Sequence, residues 1–288
     1  MLVWINGTIS LPQDARISVF DRGFMYGDSV YEGIRFFSGK GVGFDQHIER
    51  LRRSLAYTSI TGFEPDDCKG ICRALMDELG TEDSMFYLQI TRGVQIPRKH
   101  CPAAELTPTV VAIGSPAGSL ESMSEPMQVS VSVEPDLRRM RCDIKATNLL
   151  ENVLATMAAD RMGADEPVFE LDGMLTEGSS SNVFVVDGGT LRTPQLEEPR
   201  RILPGINREL ALQAARTLGL QVEEGSVTVE QLLNAEEAFI TSSSRVLAAI
   251  TAVNGKPIRS KTTGPVTLQI HQELIKSIRS GLFLTSRT

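Results

Sequence analysis

Histidine and cysteine are scarce in this 288-residue chain, with three of the first and four of the second. Three scattered histidines (His47, His100 and His271) cannot build a His-rich metal centre, and no paired-His motif occurs, so no metal is expected. Cys68, Cys72, Cys101 and Cys142 are too few and too dispersed for a disulfide scaffold. Cys68 and Cys72 also lack the second pair that a zinc site needs. Free, mostly buried thiols in a reducing compartment are expected, which points to the cytoplasm. An apolar run of about 18 residues is missing, as is a basic leader followed by an apolar stretch, so no membrane partner is expected. Positive charge is in deficit, with 29 Lys+Arg against 36 Asp+Glu and a net charge of −7. That balance argues against nucleic acid but leaves room for a local basic pocket holding small anions. The chain has no Gly-rich dinucleotide fingerprint and no phosphate loop. Ser179-Ser180-Ser181 sits outside any nucleophile-elbow pattern, which removes support for a serine hydrolase.

What is present is an ordinary globular mixture, 41% hydrophobic and 23% charged. The length suggests about two domains at roughly 150 residues each. Residues 1–118 read as a smaller α/β domain, 119–126 as a linker rich in small and turn-forming residues, and 127–288 as a larger domain. Extended segments are expected at Val3–Ile5, Ser29–Phe37, Met85–Thr91, Thr109–Gly114, Met127–Val133, Val168–Leu171, Asn182–Val186, Leu191–Thr193, Glu237–Thr241 and Val246–Val253. Apolar residues at helical spacing predict helices after Asp45 (as N-cap), over about Asp67–Leu79 and Leu149–Met162, after Pro204-Gly205, and through Val266–Ile278. His47 and His271 fall on these helices as surface or packing residues. The fold class is α+β.

Five local features together suggest a site for a phosphorylated aldehyde. Lys145, in Cys142-Asp143-Ile144-Lys145-Ala146-Thr147, enters an apolar run where burial favours a neutral, nucleophilic amine able to condense with a carbonyl; the plain alternative is a lysine reaching out from a strand end. In Thr176-Glu177-Gly178-Ser179-Ser180-Ser181-Asn182, a carboxylate precedes a small-residue turn. It is placed either to face a pyridinium nitrogen or to stand exposed in a hairpin. Arg201-Ile202-Leu203-Pro204-Gly205-Ile206-Asn207 announces a helix start whose free amides form an anion site. Thr241-Ser242-Ser243-Ser244 adds hydroxyls after a strand. Arg50 is either a phosphate ligand or a solvated helix residue.

In this order, the features resemble the fold-type IV family of pyridoxal-phosphate enzymes. The likeness runs from Phe20-Asp21-Arg22-Gly23 with Tyr26-Gly27-Asp28 to Thr241-Ser242, and is most specific from Asp143-Ile144-Lys145 to Asn182-Val183-Phe184. The resemblance implies a two-domain architecture with a smaller N-terminal α/β domain and a larger, β-barrel-like C-terminal one. It also implies a homodimer with sites between the domains, partly completed by the neighbouring subunit. Pyridoxal 5′-phosphate would be the cofactor, Lys145 the Schiff-base lysine and proton shuttle, and Glu177 the partner of the ring nitrogen. Leu203 would pack on the ring. Arg50, the amides of Ile206 and Asn207, Ser242 and Ser243 would hold the phosphate, with Ser181, Asn182 and Gly205 completing the cofactor site.

Within that family, Pro97-Arg98-Lys99-His100 is similar to the loop of D-amino-acid aminotransferases. There the arginine and histidine, with a tyrosine matching Tyr31, bind the substrate α-carboxylate, a sensible pairing of a guanidinium fork with directional donors. The implied reaction is transamination from a D-amino acid such as D-alanine or D-glutamate to a 2-oxo acid. Glu32-Gly33-Ile34-Arg35 resembles the branched-chain L-amino-acid enzymes instead. An (R)-amine transaminase and an aminodeoxychorismate-lyase-like enzyme are the further alternatives on the same cofactor. A non-enzymatic anion-binding protein would require the lysine, the glutamate and the phosphate elements all to coincide by chance.

Overall fold

The computed structural model describes residues 1–196 and 202–282. Among these, one unit comprises 1–119 and 144–148, and the other 120–143 and 149–282. The change from one unit to the next falls at Ser119/Leu120, inside the stretch read as a linker. The five residues around Lys145 then return to the first unit, which a simple two-block division does not anticipate. No helix among the described residues is long and apolar enough to cross a membrane.

The first unit contains β1 (Leu2–Ile5), β2 (Thr8–Ser10), α1 (Arg22–Tyr26), β3 (Ser29–Phe37), β4 (Lys40–Gly41), α2 (Phe44–Thr58), α3 (Cys68–Leu79), β5 (Ser84–Thr91) and β6 (Val110–Pro116). Its six strands pair antiparallel in the order β2-β1-β6-β5-β3-β4. Val30, Ile34 and Phe36 alternate along β3 and meet Ile48, Leu51 and Leu55 of α2 with Ile71, Cys72 and Leu75 of α3. Each such buried side chain stabilises the fold by about 1.5–3 kcal/mol. α2 starts two residues earlier than expected, because Gly43 takes the left-handed conformation (φ 58°) that ends the preceding turn. Asp45 therefore lies in the first turn, where its charge favours the helix N-terminus without capping it. β6 also runs on through Ser115-Pro116, two residues beyond the extended segment Thr109–Gly114 expected there.

The second unit contains β7 (Met127–Pro135), α4 (Leu150–Arg161), β8 (Glu166–Leu171), β9 (Met174–Gly178), β10 (Asn182–Asp187), β11 (Thr190–Pro194), α5 (Ile206–Thr217), β12 (Gln221–Gly225), α6 (Val229–Leu233), β13 (Glu237–Ser242), β14 (Val246–Val253), β15 (Lys256–Pro257) and α7 (Pro265–Arg279). Its mixed sheet runs β12-β11-β10-β13-β14-β7-β8-β9, with β15 on β14. β9 also lies against β10, so the sheet curls into a half-barrel. β9, β12 and α6 were not expected from the sequence. For α6 a signal existed: Thr228 and Gln231 form a reciprocal capping box.

The thiols are free, with Cys68, Cys72 and Cys142 buried and Cys101 exposed. His47 and His271 are both buried, so they are packing residues. His271 Nε2 lies 2.8 Å from the Met123 carbonyl.

Candidate active site

In the first unit the chain around Lys145 is laid along the start of β3. The Tyr31 amide donates to the Lys145 carbonyl at 2.9 Å, the Thr147 amide donates to the Ser29 carbonyl at 3.2 Å, and Val30 bridges Ala146. Ile144 and Ala146 drop into the core, so the alternation of extended chain turns Lys145 the other way. Its half-buried amine sits 4.3 Å from the centroid of the Tyr31 ring, which in turn lies 5.3 Å from Tyr87. Lys145 Nζ makes no hydrogen bond or ion pair among the described residues. Gly27, which ends α1 beside this segment, is favoured there by its left-handed backbone (φ 65°), and a Cβ on it would also press on the Asn148 side chain.

Beneath Tyr31, on the opposite face of β3, Glu32 is fully buried. Arg50 forks onto it through Nε (2.8 Å) and Nη2 (2.7 Å), and His47 Nδ1 lies 2.7 Å from the same carboxylate. Arg50 is thus no solvated helix residue but half of a buried ion pair. Burial alone would push the Glu32 carboxyl up, yet Arg50 and then His47 outweigh it and hold it well below its ordinary 4.5. Burial pulls the His47 imidazole below its ordinary 6.5, against the opposing pull of Glu32. Both shifts mean that the unfolded chain binds the extra protons in acid. The stabilising contribution of the trio is therefore complete above about pH 6.5, weakens first as unfolded His47 protonates, and weakens again below about 4.5 as unfolded Glu32 does. Glu32→Gln should cost about 3–5 kcal/mol at neutral pH, the scale of breaking a buried ion pair from one side. Urea unfolding between pH 3.5 and 8 should show a flatter acid limb below pH 4.5 than wild type; parallel limbs would refute the assignment.

Arg98 and His100 sit together on the exposed loop after β5. The Arg98 guanidinium is 4.6 Å above the Tyr26 ring, and the His100 ring is 5.4 Å from it. His100, Tyr26, Ser29 and Ala146 line a cavity of about 290 Å³.

In the second unit Glu177, at the end of β9, is 4% exposed, not the surface acid of an ordinary hairpin. Its Oε1 accepts from Arg138 Nη1 at 2.6 Å. Its Oε2 accepts from the Leu203 amide at 3.0 Å and from Asn182 Nδ2 at 3.4 Å. Burial pushes the Glu177 carboxyl above its ordinary value, while Arg138 and the Leu203 amide pull it back. Arg138 is itself steadied by Asp136, through Nε at 3.0 Å and Nη2 at 2.9 Å. Asn182 also donates to the Leu203 carbonyl at 3.0 Å, so β10 holds the strip leading into α5. Ser181 Oγ, by contrast, is bound to Glu166 Oε1 at 2.7 Å, and Glu166 also pairs with Arg245 at 2.5 Å.

α5 opens at Gly205 with no side-chain cap, so the amides of Ile206 and Asn207 lack the partner that a capping residue would supply. Asn207 Nδ2 donates to the Ser242 carbonyl at 3.1 Å, tying this helix start to the turn that carries Ser242 and Ser243. Thr241 Oγ1 is buried there without a hydrogen-bond partner among the described residues. Uncapped amides, hydroxyls and a helix N-terminus make a donor set suited to a phosphate. Arg201, which opens the stretch read as the helix approach, lies outside the described residues.

The sequence reading singled out Lys145, Glu177 and the α5 start. It missed Arg138 and Asp136, which lie between the expected strand Met127–Val133 and the Lys145 segment, and it missed His47 as a partner of Glu32. An Asp-x-Arg pair ahead of a buried acid is a usable signal, because an acid inside an apolar sheet needs a counter-charge.

Comparison with known proteins agrees with this geometry. The profile of the amino-transferase class IV family matches residues 29–253. A D-alanine aminotransferase of Bacillus licheniformis is 38% identical over 97% of this chain and 98% of its own length. One of Staphylococcus aureus is 33% identical over 96% and 98%. Among solved structures, a branched-chain aminotransferase of Thermoproteus uzoniensis, crystallised with norvaline, superposes with a TM-score of 0.86 at 26% identity, covering 99% of this chain and 98% of that one. The half-barrel, the lysine laid along the start of β3 and the buried glutamate near the end of β9 thus sit in a chain that belongs to the class IV aminotransferases.

Proposed function

We propose that the enzyme transfers the amino group of a D-amino acid, of the D-alanine or D-glutamate type, to a 2-oxo acid. The observation that carries the reading is the Arg98–His100 pair sharing the Tyr26 ring, in a chain similar over nearly its whole length to D-alanine aminotransferases. Pyridoxal 5′-phosphate is the cofactor of the class. The donor set at the start of α5, with a buried carboxylate at Glu177, fits a phosphorylated pyridine. When bound, the ring supplies an electron sink for the negative charge left at the substrate Cα.

In this reading Lys145 Nζ would hold the cofactor's aldehyde and would serve as the base that takes up and returns the substrate Cα proton. Glu177, steadied by Arg138, would face the ring nitrogen and favour its protonated form. Leu203, fixed by hydrogen bonds at both its amide and its carbonyl, would pack on the ring. Ile206, Asn207, Ser242, Ser243 and Arg50 bind the phosphate, with Gly205, Ser181 and Asn182 shaping the surrounding loops. Tyr31, Arg98 and His100 bind the α-carboxylate, the guanidinium by a two-point fork. A homodimer is part of the proposal. The apolar side chains Leu150, Val153, Leu154 and Met157 stand 48–68% exposed on α4, a face suited to a second copy. A cytoplasmic location accords with the free thiols.

A branched-chain L-amino-acid reading is favoured by Glu32-Gly33-Ile34-Arg35 and by the fold of the Thermoproteus uzoniensis enzyme. Assays with both enantiomers of alanine and glutamate, and with L-leucine, separate the two. Turnover of the D-enantiomers at least about tenfold above L-leucine in kcat/KM is expected, and exclusive use of L-leucine would reject the proposal.

A further inference from the structure

Two of the side chains assigned to the carboxylate, Arg98 and His100, project from a loop, 92–109, that lacks regular structure. Recognition of a carboxylate by a guanidinium and an imidazole needs both held within a fraction of an ångström. Among the ties that hold the loop, one buried residue makes the contacts nearest to Arg98 and His100. Arg22, on α1, is only 4% exposed. Its Nη1 donates to the Lys99 carbonyl at 2.7 Å and to Gln95 Oε1 at 3.1 Å, and its Nη2 donates to the His100 carbonyl at 2.8 Å. Its Nε donates to Asp28 Oδ2 at 2.8 Å, and its own amide donates to the Gly93 carbonyl at 2.9 Å. The guanidinium plane is further set by the Tyr26 ring, 4.9 Å away, the same ring that carries Arg98 and His100.

We infer that Arg22 is the positioning residue of the carboxylate-binding loop and that α1 is its platform. Arg22 grips the backbone carbonyls of Lys99 and His100, immediately beside the side chains that would meet substrate, while Tyr26 sets where those side chains lie. α1 is itself anchored: Asp21 Oδ1 caps the Gly23 amide at 2.8 Å, and Thr91 Oγ1 donates to Asp21 Oδ2 at 3.0 Å. Gln95 is a second tie, donating to the Cys101 carbonyl at 3.3 Å and accepting from the Ala103 amide at 3.2 Å. A lysine at position 22 cannot reproduce the fork, since one ammonium cannot reach two successive carbonyls, Gln95 and Asp28 in a single fixed geometry.

The inference rests on the reading of Arg98 and His100 as carboxylate ligands, so the experiment carries that reading as a separate arm. Holoenzymes of wild type, Arg98→Ala and Arg22→Lys are compared in single-turnover half-reactions with D-alanine, giving the half-saturating concentration and the limiting rate separately. Both variants should raise the half-saturating concentration tenfold or more and hold the limiting rate within about threefold. A merely structural Arg22 would lower the active fraction or the melting temperature and leave half-saturation unchanged, a result that overturns the inference. An unchanged Arg98→Ala overturns the underlying reading instead. Should Arg22→Lys yield no folded holoenzyme, Gln95→Leu decides: raised half-saturation supports the loop tie, and wild-type half-saturation overturns it.

Discussion

Replacing Lys145 with alanine is expected to lower kcat by about 10⁴-fold or more, the upper range for positioned proton transfer, with loss of covalent attachment in addition. The fold should survive, because the contact that seats this residue on β3 is made by its backbone carbonyl, which alanine retains. The side chain contributes only its approach to the Tyr31 ring. Borohydride reduction of wild-type holoenzyme followed by peptide mass mapping should find the reduced cofactor on Lys145. The variant should melt within a few degrees of wild-type apoenzyme. An adduct on another lysine, or kcat within tenfold of wild type, would move the chemistry elsewhere.

The second large effect is expected at Glu177. Glu177→Gln keeps an acceptor for the Leu203 amide but removes the charge facing Arg138. Arg138 keeps two hydrogen bonds to Asp136, so no guanidinium is left stranded and the stability loss should be small. Turnover should nevertheless fall by about 10²–10³-fold, the scale of losing one preorganised electrostatic partner. Proton removal from Cα should become more rate-limiting, so the isotope effect with α-deuterated D-alanine should rise while cofactor affinity changes little. A variant with wild-type kcat would place the ring's charge control on another group.

The parts legible in the sequence were those with local causes. β3 and β14 occupy Ser29–Phe37 and Val246–Val253, the spans read from their extended, apolar character. Pro204-Gly205 announced α5, since a helix start is written in its own first residues. The parts that were not legible depend on residues far apart in the chain. Arg138 meets Glu177 across 39 positions, and Arg22 reaches His100 across 78. Helical periodicity placed His47 and Arg50 on α2 but could not show that both turn toward Glu32, because a polar residue on an inward face looks like a break in the pattern until its partner is known.

The five residues around Lys145 also bear on how the polypeptide is born. The first unit is discontinuous: the chain leaves it at residue 119 and comes back for Ile144–Asn148. A nascent chain halted before residue 144 would leave Tyr31 without its hydrogen-bond acceptor and the core without Ile144 and Ala146. Completion of the amino-terminal half thus waits on translation of part of the carboxy-terminal half, so a cut at residue 119 yields an unfinished, aggregation-prone fragment instead of an autonomous module.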